Sequence, residues 1–128
     1  MANSDNVLRG GLTEKHVDVP ELLSTVRFEG IRPLLIEGTP EENPLEAYFE
    51  SPTQDFRLSH IHLGKGDTYV NSTQSIEILL IMYGVAAIQS GRKRLSLRRG
   101  QSAVVFAGST YRIEAFSEGT ALYRVSLP

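Results

Sequence analysis

Between Ala47 and Leu127 the chain breaks into short runs rich in β-branched, aromatic and aliphatic residues, each closed by a turn. They are Ala47–Glu50, Phe56–Leu63, Ile76–Tyr83, Val85–Gln89, Lys93–Leu97, Gln101–Phe106, Tyr111–Phe116 and Ala121–Leu127. Runs of this length and spacing suit the strands of a sandwich or barrel. Ser90-Gly91 and Glu118-Gly119 read as hairpin tips.

Ahead of these runs the pattern changes. Asp18-Val19-Pro20-Glu21 reads as a helix start, with Asp18 as N-cap, Pro20 in the first turn and Glu21 completing a capping box. The helix is expected to run through Val26 and to bury Leu22, Leu23 and Val26. Gly38 to Pro44 reads as a polar, proline-bearing loop. The division expected is residues 1–30 as a segment with one short helix and residues 31–128 as a β-barrel domain.

Composition narrows the function. The 128 residues carry 13 basic and 15 acidic side chains, a net charge of −2, which supplies no field to gather nucleic acid or an anionic membrane surface. Cysteine is absent, so thiol nucleophiles, thiolate metal sites and disulfides are excluded. No apolar run approaches the roughly 18 residues of a membrane helix, and Asp5 near the start argues against a signal peptide. A soluble, cytoplasmic protein is expected.

Glycine spacing sharpens the fold. Glu77 precedes Gly84 by seven positions, and Gly100 is followed by Phe106-Ala107-Gly108. This register resembles that of the cupins, whose first motif has a glutamate seven residues before a glycine and whose second opens on a glycine followed by P-x-G. The fold class expected is all-β, a cupin-like β-barrel (jelly roll) preceded by an N-terminal loop and one short helix. In that register the cupin metal-ligand positions fall on Asn71, Thr73, Glu77 and Tyr111, of which only Glu77 is a ligand residue. The resemblance thus implies a barrel without a catalytic metal and with a scaffold role.

Two other groups invite chemistry. His60 and His62 form an H-x-H pair on one strand face with Phe56 and Leu58, a spacing able to chelate zinc. No third ligand stands near them in sequence, so a structural or surface role is expected. Arg92, Lys93, Arg94, Arg98 and Arg99 cluster around a hairpin. Without aromatic platforms or a basic domain they read as a solvated face, not a nucleic-acid reader.

The densest chemistry lies in SDNVLRGGLTEKHVDVPELL, from Ser4 to Leu23. Asp5, Arg9 and Lys15 surround Gly10-Gly11, which permits close backbone approach. Arginine and lysine together suit a phosphate or oxyanion, although a surface loop with solvated charges has the same composition. This stretch resembles the signature that type I mannose-6-phosphate isomerases carry before their C-terminal cupin domain. Asp55-Phe56 and the closing strands fit the same pattern, while Glu14 stands where the family commonly has proline.

The resemblance implies a zinc-dependent interconversion of mannose 6-phosphate and fructose 6-phosphate in carbohydrate metabolism. A proton moves between C1 and C2 through an enediol-type intermediate. It assigns Arg9 a catalytic role, places Asp5 at the pocket beside it and sets Lys15 near the sugar phosphate. The family's zinc ligands, a glutamine, two histidines and a glutamate, lie upstream of the signature, and His16, His60 and His62 do not match them. The chain is therefore expected to be the C-terminal portion of an isomerase, inactive alone, binding no zinc itself and working with an N-terminal isomerase fragment on a hexose phosphate. Exposed barrel faces would favour self-association as a homodimer. The alternatives are a non-catalytic sugar-phosphate-binding or regulatory cupin module, and a purely structural domain.

Overall fold

The computed structural model describes residues 8–12 and 14–127. The chain divides into two compact units, Met1–Leu34 and Leu35–Pro128.

The first unit contains one helix, α1 (Val19–Thr25). Its start follows the sequence signals. Asp18 is the N-cap, and its side chain accepts a hydrogen bond from the Glu21 backbone N–H at 3.1 Å. Pro20 occupies the first turn, where its missing N–H costs nothing. The helix ends when Val26 turns extended while still donating to the Leu22 carbonyl. The predicted buried face is corrected: no residue of α1 is buried, Leu22 is half-buried, and Leu23 and Val26 are 56% and 41% exposed. A seven-residue helix with no strand beside it among the described residues of its unit has little surface of its own to pack against.

The second unit is built from strands: β1 (Gly38–Pro40), β2 (Glu46–Phe49), β3 (Arg57–Leu63), β4 (Thr68–Ser72), β5 (Glu77–Tyr83), β6 (Val85–Ser90), β7 (Lys93–Arg98), β8 (Ser102–Val105), β9 (Thr110–Ala115) and β10 (Thr120–Ser126). They form two antiparallel sheets, a six-stranded one ordered β1-β2-β3-β10-β5-β8 and a four-stranded one ordered β4-β9-β6-β7. The two sheets share one apolar core but are not joined into a closed barrel by the ladders. The class is all-β and cupin-like, as the sequence predicts.

Alternation along the strands builds that core. Ser59, Ile61 and Leu63 of β3 point in, as do Leu79 and Ile81 of β5, Ile113 and Ala115 of β9, and Leu122 of β10. One-face burial of this kind fixes register, since a one-residue slip would turn the whole set outward. β10 lies between β3 and β5, with Leu122 opposite both Ile61 and Ile81. It is the central strand through which that sheet is tied together.

Two strands escape the sequence reading. β1 falls inside the predicted loop, and Pro40 fits there because β1 is an edge strand. β4 lies where no strand is predicted: only Tyr69 of its five residues is buried, so apolar alternation is too weak to mark it.

The glycine register takes its place at the turns. Gly84 sits between β5 and β6 at φ +79°, and Gly100 has the same φ between β7 and β8. Gly84 is also crowded: a Cβ there would lie 2.5 Å from both Ser117 Oγ and Thr120 Oγ1. Both sterics and backbone conformation require glycine at this corner.

Candidate functional site

In the first unit, Arg9 is half-buried and Lys15 is exposed. Gly10 backs closely onto the helix, since a Cβ at that position would stand 3.0 Å from Leu22 Cδ2. The loop carrying Arg9 is thereby seated on α1, while Gly11 has open space around it. Asp5 lies outside the described residues. His16 is exposed.

The second unit contains a buried polar centre that sequence reasoning found only in part. Asn71, Glu77 and Tyr111, three of the four positions at which the glycine register places cupin ligands, come together from β4, β5 and β9. Tyr111 donates its hydroxyl to Glu77 Oε2 at 2.7 Å. The Asn71 side-chain amide lies 3.2 Å from Glu77 Oε1 and 3.3 Å from the Tyr111 hydroxyl. Thr73, the fourth position, is buried but turns away: its hydroxyl donates to the Ser75 carbonyl at 2.7 Å.

The group at the middle of this centre is Arg124. Its Nη1 donates to Glu77 Oε1 at 3.2 Å and its Nε to Ser59 Oγ at 3.2 Å. Nη2 stands 2.6 Å from Glu46 Oε1. That oxygen accepts no aligned hydrogen bond, so the contact is an ion pair held by charge. The other Glu46 oxygen accepts from the Tyr69 hydroxyl at 2.5 Å. Glu46, Glu77 and Arg124 are all nearly inaccessible to solvent.

Electrostatics follow from burial. Desolvation, then the hydrogen bond to Glu46, pushes the Tyr69 phenol well above its ordinary range, against the opposing charge of Arg124. Tyr111 is raised in the same way by burial and its bond to Glu77. Burial alone would lower the Arg124 guanidinium, but Tyr69, Glu46, Glu77 and Tyr111 together outweigh it and raise it. Arg124 is thus a permanent cation, and both phenols remain donors.

Sequence reasoning missed Arg124, Glu46, Tyr69 and Ser59. The available signal was phase: Arg124 shares the inward face of β10 with Leu122, and an arginine in that phase needs a buried partner. The partners themselves lie on distant strands and carry no such mark.

The remaining groups sit at the surface. His60 and His62 stack edge-on at 4.0 Å between ring centroids, and His60 is 5.2 Å from the Tyr123 ring. Burial first, then His62, lowers the His60 pKa. The basic hairpin is largely exposed, with Arg94 paired to Glu114 at 2.9 Å and Arg99 over the Tyr83 ring. Among the described residues no group of three or more His, Cys, Asp or Glu side chains could hold a metal ion. No described helix is long and apolar enough to cross a membrane.

No family model matches the chain. It is 39% identical over 110 residues to the mannose-6-phosphate isomerase of Escherichia coli strain K12, across 86% of this chain and 28% of that protein. The crystal structure of mannose 6-phosphate isomerase from Salmonella typhimurium, bound to substrate (fructose 6-phosphate) and zinc, matches with a TM-score of 0.76 and 35% identity. That match covers 99% of this chain and 32% of the other. The chain is similar to the C-terminal part of mannose-6-phosphate isomerases.

The chain spans less than a third of the length of the E. coli isomerase. A cupin superfamily protein from Desulfitobacterium hafniense matches 73% of the chain at TM-score 0.58 with 16% identity, which supports the fold alone. The family's zinc does not fit the described residues. The barrel's carboxylates already face a guanidinium, and His60 and His62 have no third ligand.

Proposed function

We propose that this chain forms the C-terminal wall of a hexose-phosphate isomerase pocket and has no turnover alone. The observation that carries the reading is the extent of the match: 86% of this chain aligns with an isomerase of which it covers only 28%. In this reading Arg9 stabilises the oxyanion that develops as a proton passes between C1 and C2 of the sugar. Lys15 acts as a point charge toward the phosphate, and Asp5 belongs to the same pocket. Zinc, held by ligands upstream of the signature, supplies Lewis-acid stabilisation of that oxygen when bound. The cytoplasm is the location proposed.

Exposed apolar side chains support a missing partner. Phe28, Ile31 and Leu34 are 82%, 81% and 88% exposed within seven residues of the first unit. Large apolar side chains gathered in one short stretch suit a surface that another polypeptide covers. An N-terminal isomerase fragment is the partner this reading names.

The test is an isomerisation assay on mannose 6-phosphate with zinc, using the chain alone and after adding the upstream two thirds of a family isomerase. Turnover only in the mixture supports the proposal. Turnover by the 128 residues alone overturns it.

A further inference from the structure

The polar centre of the strand unit is built like a binding site. Six strands converge on it, and five of its side chains bring oxygens to the centre. Glu46 and Glu77 supply carboxylates, Tyr69 and Tyr111 supply hydroxyls that hold those carboxylates in place, and Ser59 supplies one further oxygen. At the focus lies one cation, the Arg124 guanidinium, within 2.6 to 3.2 Å of Glu46, Ser59 and Glu77.

A buried carboxylate is costly unless a cation meets it and its lone pairs are filled. Here two carboxylates surround one guanidinium, and one Glu46 oxygen has that ion pair as its sole polar contact. The cage is therefore organised around a positive charge, and the positive charge is supplied by the chain itself. An arginine suits this role because its planar fork can serve several acceptors at once and it does not deprotonate.

We propose that Arg124 is a tethered cation filling an oxygen-lined guanidinium site in the core of the strand unit, so that the unit binds its own side chain there. The site then belongs to the guanidinium class, and the barrel is a self-occupied scaffold.

The experiment is chemical rescue. Arg124→Ala should melt about 10 °C or more below the unmodified chain. A few millimolar guanidinium chloride should restore at least half of that loss, whereas sodium chloride at equal ionic strength should not, and the unmodified chain should not gain. Arg124→Met, which keeps length but removes charge, should also melt lower and gain nothing from guanidinium. An Arg124→Met melting point at or above that of the unmodified chain overturns the proposal, as does equal behaviour of the two salts on Arg124→Ala. Should Arg124→Ala fail to fold in either salt, proton exchange at guanidinium Nε in the unmodified chain decides. Exchange at Arg124 at least 100-fold slower than at exposed Arg94 supports a caged cation, and equal rates overturn it.

Discussion

Arg124 on β10 and Glu77 on β5 approach within 3.2 Å in the interior of the strand unit, joining two adjacent strands of one sheet by charge. Tyr111 of the opposite sheet donates to the same carboxylate, so Glu77 links the two layers.

Glu77→Ala removes the shared acceptor of Arg124, Tyr111 and Asn71 at once. Breaking a buried pair from one side leaves the other charge without full compensation, at a cost of about 3 kcal/mol. Urea unfolding should show the midpoint falling by that equivalent with an unchanged slope. Half-buried Glu114, paired at the surface with Arg94 at 2.9 Å, is the control: Glu114→Ala should cost less than about 1 kcal/mol.

Gly84→Ala should destabilise by more than about 2 kcal/mol, because it combines a left-handed φ with a Cβ inside contact distance of two oxygens. Adding Ser117→Gly should recover part of this by opening one side. The φ of +79° remains unfavourable, so full recovery in a thermal melt would contradict the assignment.

Asp18→Ala removes the α1 cap, worth about 1 kcal/mol. Hydrogen exchange at the Leu22 and Val26 amides, which bond to Asp18 and Leu22 carbonyls, should quicken by about fivefold. Asp18→Asn should leave those rates close to the parent.

The lowered His60 pKa gives a signed pH dependence. With the folded value below the unfolded 6.5, the unfolded state binds more protons as pH falls through that region. Stability is then present above the unfolded pKa and is lost on acidification. Melting temperature should drop between pH 7 and pH 5, and His60→Gln should flatten that drop. A steeper fall in the variant would reverse the sign and refute the account.

Legibility differed by scale. The capping signals of Asp18, Pro20 and Glu21 act over a few residues, and α1 begins where they place it. Strand runs from Ile76 to Tyr83 and Val85 to Gln89 were readable because their alternation reports one buried face. β4 was not, since Asn71 and Ser72 dilute its pattern and its place depends on pairing with β9. The buried face expected for α1 failed for a related reason, as burial needs a partner surface and the helix pattern carries only the demand for one.

What the amino-acid order determined by itself was local: turns that require glycine, a capped helix, strands of period two, and a signature dense in charge. These depend on interactions between near neighbours, whose energies are set by sequence spacing alone. The tertiary structure decided which cation the inward carboxylates would meet. Glu46 and Arg124 are far apart along the chain and meet only because β2 and β10 both flank β3. Coulomb interactions and desolvation depend on distance in space, and the fold alone sets that distance.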